Sequence, residues 1–393
     1  MLAKSRSLLG FRKGIVRLLT QQLGYKYEDM RKRHPLNPDV NSWMLGPRVG
    51  ELALTQVEHV NIGEAYYRAD FAITHLEFLG MRQVRYRYYM QDEEVPTPQE
   101  ARERAYEQLL CGHEFEVKRG QAGYDRKQGG RQFGTVQYIN WLDPEANTFT
   151  VHEGWRGVLN DGVAWDLVIS INSIPLVGVM LAPTTPGHRP CEEAYQLMRQ
   201  QIDADPCFGT YCQFCLISDG KTTLVGTPDD PPEWFLPWEI LDLDRQWADD
   251  QNIEEKYLTF CTKLSKQALV RYLRHFVRLV GEGERQMLYA AHCHQVHAVI
   301  AAGIHLAQGW GPAYAVLPKS DELLRAYPFD TNHETTRQLF HDYMIMSDLL
   351  DDADEAKQAS VQFVVEPRMS AEPIPGECVY RPQGRLHSPL ADD

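Results

Sequence analysis

The spacing of apolar residues changes along the chain, and each change marks an element. From Ser7 to Leu23 they recur with a helical period and stop at Gly24, which predicts a first helix with a glycine terminator. Gln83 to Met90 alternates aromatic and basic residues, predicting a half-buried strand with Arg85 and Arg87 on its outer face. Pro96 and Pro98 break the chain before a helix over Gln99 to Leu110 that carries Glu/Arg pairs. Residues 119–134, rich in Gly, Gln, Lys and Arg, read as an exposed hairpin loop, with strands at Phe133 to Trp141 and Thr148 to Glu153.

From Asp166 the pattern becomes strand, strand, helix, strand. Asp166 opens one apolar run, Asn172-Ser173 supplies a turn, and Leu176 to Leu181 forms a second run. A helix over Cys191 to Ile202 precedes Pro206. Tyr211 to Ser218 reads as a buried strand, and Ser218-Asp-Gly-Lys turns the chain into Thr222 to Val225. Residues 226–238, with Pro228, Pro231, Pro232 and Pro237, mark a boundary loop containing Trp234 and Trp238. Beyond it Leu269, Tyr272, Leu273, Phe276 and Leu279/Val280 share a helical face, with Arg271, Arg274 and Arg278 opposite. Core packing is the default use of that stripe. From Glu366 five prolines predict an extended or disordered tail, and no internal repeat is present.

The 393 residues exceed one average domain, and 43% apolar content supplies a substantial core. No run approaches about 18 uncharged apolar residues, so no membrane helix is expected. The formal charge of −14 argues against a nucleic-acid-coated surface, but residues 1–48 carry a net +7 and leave −21 for the remainder. That basic lobe suits either phosphate contact or a plain solvated face. The acid-free stretch from Met1 to Gln22 reads as an amphipathic helix or, alternatively, a transit peptide, and lacks a signal-peptide core. Eight scattered cysteines fit a reducing cytoplasm.

Three patterns look like binding motifs. Cys212-x-x-Cys215 has zinc-like spacing, but on a strand two side chains three apart face opposite ways and do not share a metal. His292, Cys293, His294 and His297 cluster without a partner motif, favouring surface and core roles. Gly220-Lys-Thr lacks the earlier glycine of a phosphate loop, with Cys215 in its place, and it sits in a hairpin rather than opening a helix. No ATP site is expected there.

The layout around Asp166 resembles a PD-(D/E)xK nuclease, in which an Asp on one strand and Glu-x-Lys on the next hold a divalent metal that activates water. A longer resemblance, over about Ala105 to Ile300, is to the N-terminal part of the restriction (motor) subunit of type I restriction-modification enzymes. Its most specific pieces are Gly134-Thr-Val-Gln-Tyr-Ile-Asn-Trp-Leu-Asp-Pro-Glu-Ala-Asn-Thr-Phe, Asp166-Leu-Val-Ile-Ser-Ile-Asn-Ser-Ile-Pro-Leu-Val, Leu216-Ile-Ser-Asp-Gly, Phe235-Leu-Pro-Trp and Tyr289-Ala-Ala-His-Cys-His-Gln-Val-His-Ala-Val.

The resemblance implies an α/β nuclease-like domain over 1–240, with a mixed central sheet and its core at 133–240. It implies a linker at 241–263, an α-rich segment at 264–345 resembling the start of a RecA-like helicase lobe, and an acidic, proline-containing tail at 346–393, partly disordered. Asp166 matches the family's metal-binding Asp. Met180 stands at the Glu position and Ala182 at the Lys position, and neither can ligate Mg²⁺. Losing the Lys removes transition-state stabilisation of roughly 3 kcal/mol.

The first helix contributes no acid before Glu28, and the family's Gln-x-x-x-Tyr motif is absent, with Gln196, Leu197, Gln200 and Gln201 in that region. Glu192, Glu193, Glu153 or Asp161 remain as candidates for a migrated acid. Gln295 matches the glutamine with which such motors read adenine. Without a following Walker A loop it is expected to cap or pack in a helix. The implied function is a catalytically inactive pseudo-nuclease of a phage-defence system, cytoplasmic and acting through DNA or through methyltransferase and specificity subunits. It needs no cofactor and touches no membrane. The alternative is a Mg²⁺-dependent DNA endonuclease with a displaced site.

Overall fold

The computed structural model describes residues 6–32, 98–117, 132–136, 138–155, 164–172, 174–204, 206–238, 253–280, 286–293, 295–300, 313–317, 361–365, 378–381 and 385–387. The expected strand at Gln83 to Met90 and the acid Asp161 lie outside them.

The first helix, α1 (Arg6–Arg17), continues through a wider turn at Leu18–Gln22 and ends at Gly24, whose φ of +71° is the left-handed stop. Leu8, Phe11, Ile15, Leu18 and Leu19 are buried at helical spacing. Phe11 stacks on Tyr257 and meets Phe260 edge-on, so α1 packs on a helix far along the chain.

The central sheet has seven strands in the order β1-β4-β5-β6-β7-β8-β9. These are β1 (Lys26–Asp29), β4 (Phe149–Trp155), β5 (Trp165–Ile171), β6 (Ile174–Leu181), β7 (Phe214–Ser218), β8 (Thr223–Gly226) and β9 (Leu236–Pro237). β4, β5 and β6 form an antiparallel meander. β1 joins β4 in parallel at one side, and β7 joins β6 in parallel at the other. A parallel neighbour requires a crossover. The chain supplies it with α3 (Glu192–Ala204) and α4 (Pro206–Tyr211). Every residue of β5, and every one of β6, is buried, which explains why both runs are mostly apolar rather than alternating, with Asp166 and Ser170 the buried polar residues of β5.

The β5–β6 turn is held by Asn172, at φ +53°. Its side chain accepts from Thr148 N–H and donates to Tyr138 C=O and Asn147 Oδ1, each at 2.8–2.9 Å. Asparagine is one of the few residues that tolerate this backbone while supplying those bonds.

Elsewhere, α2 (Pro98–Cys111) precedes a hairpin of β2 (His113–Val117) with β3 (Gln132–Val136). The strand expected over Phe133 to Trp141 therefore ends at Val136. Asn140 accepts from the N–H groups of Leu142 and Asp143, and these local bonds turn the chain where a sheet ladder would have extended it.

Helices α5 (Leu258–Leu264) and α6 (Lys266–His275) are followed by the β10 (Val277–Val280) and β11 (Met287–Ala290) pair. The helical stripe read through Val280 thus stops at His275, and Val277 to Val280 is strand, because Val277, Leu279 and Val280 fit either period over so short a run. These elements share one buried core with the sheet: Tyr25 OH donates to Leu264 C=O at 2.7 Å, and Thr227 Oγ1 to Leu288 C=O at 3.2 Å. A four-stranded sheet orders β13 (Val361–Val365), β12 (Ala313–Leu317), β14 (Cys378–Arg381) and β15 (Arg385–His387). Beyond Glu366, where an extended or disordered tail was expected, two strands therefore form. Among the described residues, no helix is long and apolar enough to cross a membrane.

Candidate functional site

Asp166 is the second residue of β5 and is 2% exposed. Leu167 pairs with Val179, so one further step along the antiparallel strands brings Asp166 beside Met180. The carboxylate turns onto the next strand's backbone, where Leu181 N–H donates to Oδ2 at 2.8 Å. The three positions singled out by sequence, Asp166, Met180 and Ala182, are thereby brought to one place. The side chains of Met180 and Ala182 are fully buried apolar groups there, and Ala182 N–H donates to Ser218 C=O at 3.0 Å.

The other Asp166 oxygen faces α1, where Arg12 Nη1 donates to Oδ1 at 3.2 Å. Arg12 Nε also lies 3.0 Å from Glu153 Oε1 on β4, an ion-pair contact without the direction of a hydrogen bond. Glu153 further holds Arg31 Nη1 at 3.1 Å and accepts from Tyr27 OH at 2.6 Å. That hydrogen bond, behind burial, pushes the Tyr27 hydroxyl up to about 12. Gly154 has φ +71°, and a Cβ there would lie 2.4 Å from Arg31 Cγ. Glycine therefore admits Arg31 across the strand. Next to this network, His152 bridges Ser170 Oγ at 2.7 Å and Glu28 at 3.2 Å.

Two buried carboxylates thus share one guanidinium. A hard divalent cation needs several free oxygen donors, and here a fixed cation already engages the donors of both acids. As they stand, these residues do not fit Mg²⁺. Among the described residues, no three His, Cys, Asp or Glu side chains converge in a metal-holding group.

Of the candidates for a migrated acid, Glu153 reaches the site. Glu192 instead accepts from Arg189 N–H at 3.0 Å and faces His188, while Glu193 accepts from Thr185 Oγ1. Sequence reasoning missed Arg12, Tyr27 and Arg31. A signal for Arg12 existed: it shares the helical spacing of Leu8, Ile15 and Leu19, a cation on an apolar stripe.

The other singled-out residues take structural places. Gln295 is 1% exposed; its Oε1 accepts from His292 N–H at 2.9 Å and from Tyr289 OH, tying down the start of the helical residues 295–300. Cys212 and Cys215 correct the sequence reading. Cys212 precedes β7 rather than belonging to it, so the chain bends between them and their sulfurs lie 3.8 Å apart. Lys221 follows Gly220, at φ +86°, in the β7–β8 turn. No protein-family model matches the chain, and no curated protein matches it.

Proposed function

We propose that the chain is a pseudo-nuclease, resembling the restriction subunit of type I restriction-modification systems, and that it acts in DNA defence by binding rather than cutting. The observation that carries this reading is the meeting of Asp166 with Leu181, flanked by Met180 and Ala182, at the join of two central strands. The order of helix, three antiparallel strands, crossover helix and parallel strand supports it. A metal-dependent nuclease would place its acid and its Glu-x-Lys at this join. Here Arg12 supplies the positive charge and apolar side chains fill the rest, which preserves the scaffold without hydrolytic chemistry. The partners proposed are DNA and the methyltransferase and specificity subunits of such a system.

Plasmid cleavage in Mg²⁺ and in Mn²⁺ tests it, using the unmodified chain, Asp166→Ala, and Met180→Glu with Ala182→Lys. The expected outcome is no cleavage by the unmodified chain and nicking by the double variant. Cleavage by the unmodified chain that Asp166→Ala abolishes would overturn the reading. It would favour the second one, a working endonuclease with a displaced site, for which the nearness of Glu153 to Asp166 is the specific support. Under that second reading Mn²⁺ raises the Tm of the unmodified chain; under the first it does not.

A further inference from the structure

Cys293 and His297 form a thiol–imidazole pair outside the Asp166 site. Cys293 follows β11 and is 5% exposed, and His297 comes four residues on, in the helical residues 295–300. Helical spacing of four brings two side chains together. Sγ lies 3.5 Å from Nδ1 and 3.6 Å from Nε2, so a ring nitrogen of His297 is placed to accept the thiol proton. The Trp238 indole packs against that imidazole, with ring centroids 5.9 Å apart.

A second basic group lies within electrostatic reach. Lys263 on α5 is 2% exposed, its Nζ sits over the rings of Trp238 and Tyr272, and it has no hydrogen-bond or ion-pair partner among the described residues. Burial lowers its proton affinity and a charge on Cys293 raises it, so a thiolate at 293 and an ammonium at 263 stabilise each other. Cysteines react as thiolates in electropositive, partly enclosed surroundings of this kind.

The thiol is also reachable. With Leu236, Pro237, Trp238, Tyr272 and His292, Cys293 lines a cleft. Pro237 is exposed and Trp238 and His292 are half-buried, so the cleft opens to solvent, yet it has room for about one water molecule. A reagent little larger than water can meet Sγ there, and a bulky one cannot.

We propose that Cys293 is a peroxide-reactive thiol, oxidised to a sulfenic acid by hydrogen peroxide that enters this cleft. His297 takes the thiol proton, the thiolate sulfur attacks one peroxide oxygen, and the O–O bond breaks. The departing hydroxide takes the proton back, so one thiol and one peroxide give one sulfenic acid and one water. The sulfur loses two electrons and the peroxide gains them. The competing role is a thiol–imidazole hydrogen bond that only fastens the start of the helical residues. This inference is independent of the function proposed above.

The test exposes the full chain to hydrogen peroxide at pH 7, removes the excess with catalase, and unfolds the chain in urea with dimedone. Unfolding lets the trap reach sulfenic acids that a narrow cleft shields, and mass spectrometry assigns each adduct. The exposed Cys111 is the internal reference. Cys293 is expected to be oxidised about tenfold faster than Cys111. The bulkier tert-butyl hydroperoxide is expected to leave Cys293 intact while still oxidising Cys111. His297→Gln should slow the Cys293 reaction about tenfold with an unchanged far-UV circular dichroism spectrum, an effect that a merely structural hydrogen bond would not have. Where His297→Gln fails to fold, the two comparisons in the unmodified chain decide the matter. Oxidation of Cys111 ahead of Cys293 would overturn the proposal. Equal Cys293 rates with the two peroxides, or a rate that the folded His297→Gln chain keeps, would overturn it too.

Discussion

Replacing Arg12 with Met removes the one guanidinium that Asp166 and Glu153 share while keeping the aliphatic stem against α1's neighbours. The side chains concerned are 15%, 2% and 9% exposed for Arg12, Asp166 and Glu153, so solvent screens the pairs weakly. Removing one partner of a buried pair costs about 3–5 kcal/mol, because the remaining charge stays desolvated. Glu153 keeps Arg31 and Tyr27, so most of the loss falls on Asp166, which keeps the Leu181 amide but loses its counter-charge. We therefore expect Arg12→Met to destabilise the chain by about 3 kcal/mol, a large share of a typical folding free energy. Urea unfolding followed by tryptophan fluorescence, with Trp155 and Trp165 buried nearby, measures it. Adding Asp166→Asn should recover part of the loss, with a coupling of about 1–2 kcal/mol between the two sites. A cost for Arg12→Met below about 0.5 kcal/mol, or strictly additive single effects, refutes the claim that the guanidinium neutralises this site.

Three further expectations follow from particular contacts. Asn172→Ala loses the bonds to Thr148, Tyr138 and Asn147 and leaves a left-handed backbone on a residue that resists it, so it should cost about 3 kcal/mol in urea unfolding. Asn172→Gly, relieved of the backbone cost, should lose less. Gly178→Ala would place a Cβ 2.4 Å from Trp165 Cζ3; we expect a loss of about 2 kcal/mol or more and a shifted tryptophan emission, and a neutral result would show that the ring moves freely. Burial, with Arg274, Arg278 and Arg271, lowers His275 to about 3. The unfolded chain then binds this proton first, so His275 makes no pH-dependent contribution above about 6.5. Its contribution to stability falls as pH drops from 6.5 towards 3, by up to about 1.4 kcal/mol per pH unit. His275→Gln should flatten the acid limb of a stability-against-pH curve, and an unchanged limb would refute the assignment.

The strands flanking Asn172 and the helix after Cys191 were legible because each answers to a local rule. An uninterrupted apolar run of strand length between turn residues has few other ways to be buried, and Gly24 and Gly220 occupy backbone that favours glycine. The same locality placed Asp166, Met180 and Ala182 at one site, since a tight turn fixes which residues of adjoining strands meet. Where the rule was ambiguous the reading failed: Val277 to Val280 fits a helix or a strand equally, and pairing with β11 decided it. The placing of Cys212 beside Cys215 depended on a bend ahead of β7 that no spacing rule contains.

The sequence by itself determined the sheet's central elements and the absence of Glu and Lys from the positions beside Asp166, because both are properties of short contiguous segments. Only the tertiary structure decided what stands there instead. Arg12 lies 154 residues from Asp166 in the chain, and Tyr27 lies 126 from Glu153. The rings of Phe214, Tyr272 and Trp238 around the Lys263 amine likewise come from a strand, a helix and a loop. Charge neutralisation acts through space over a few ångströms, so the cation that pairs with both acids becomes visible only once the chain has folded.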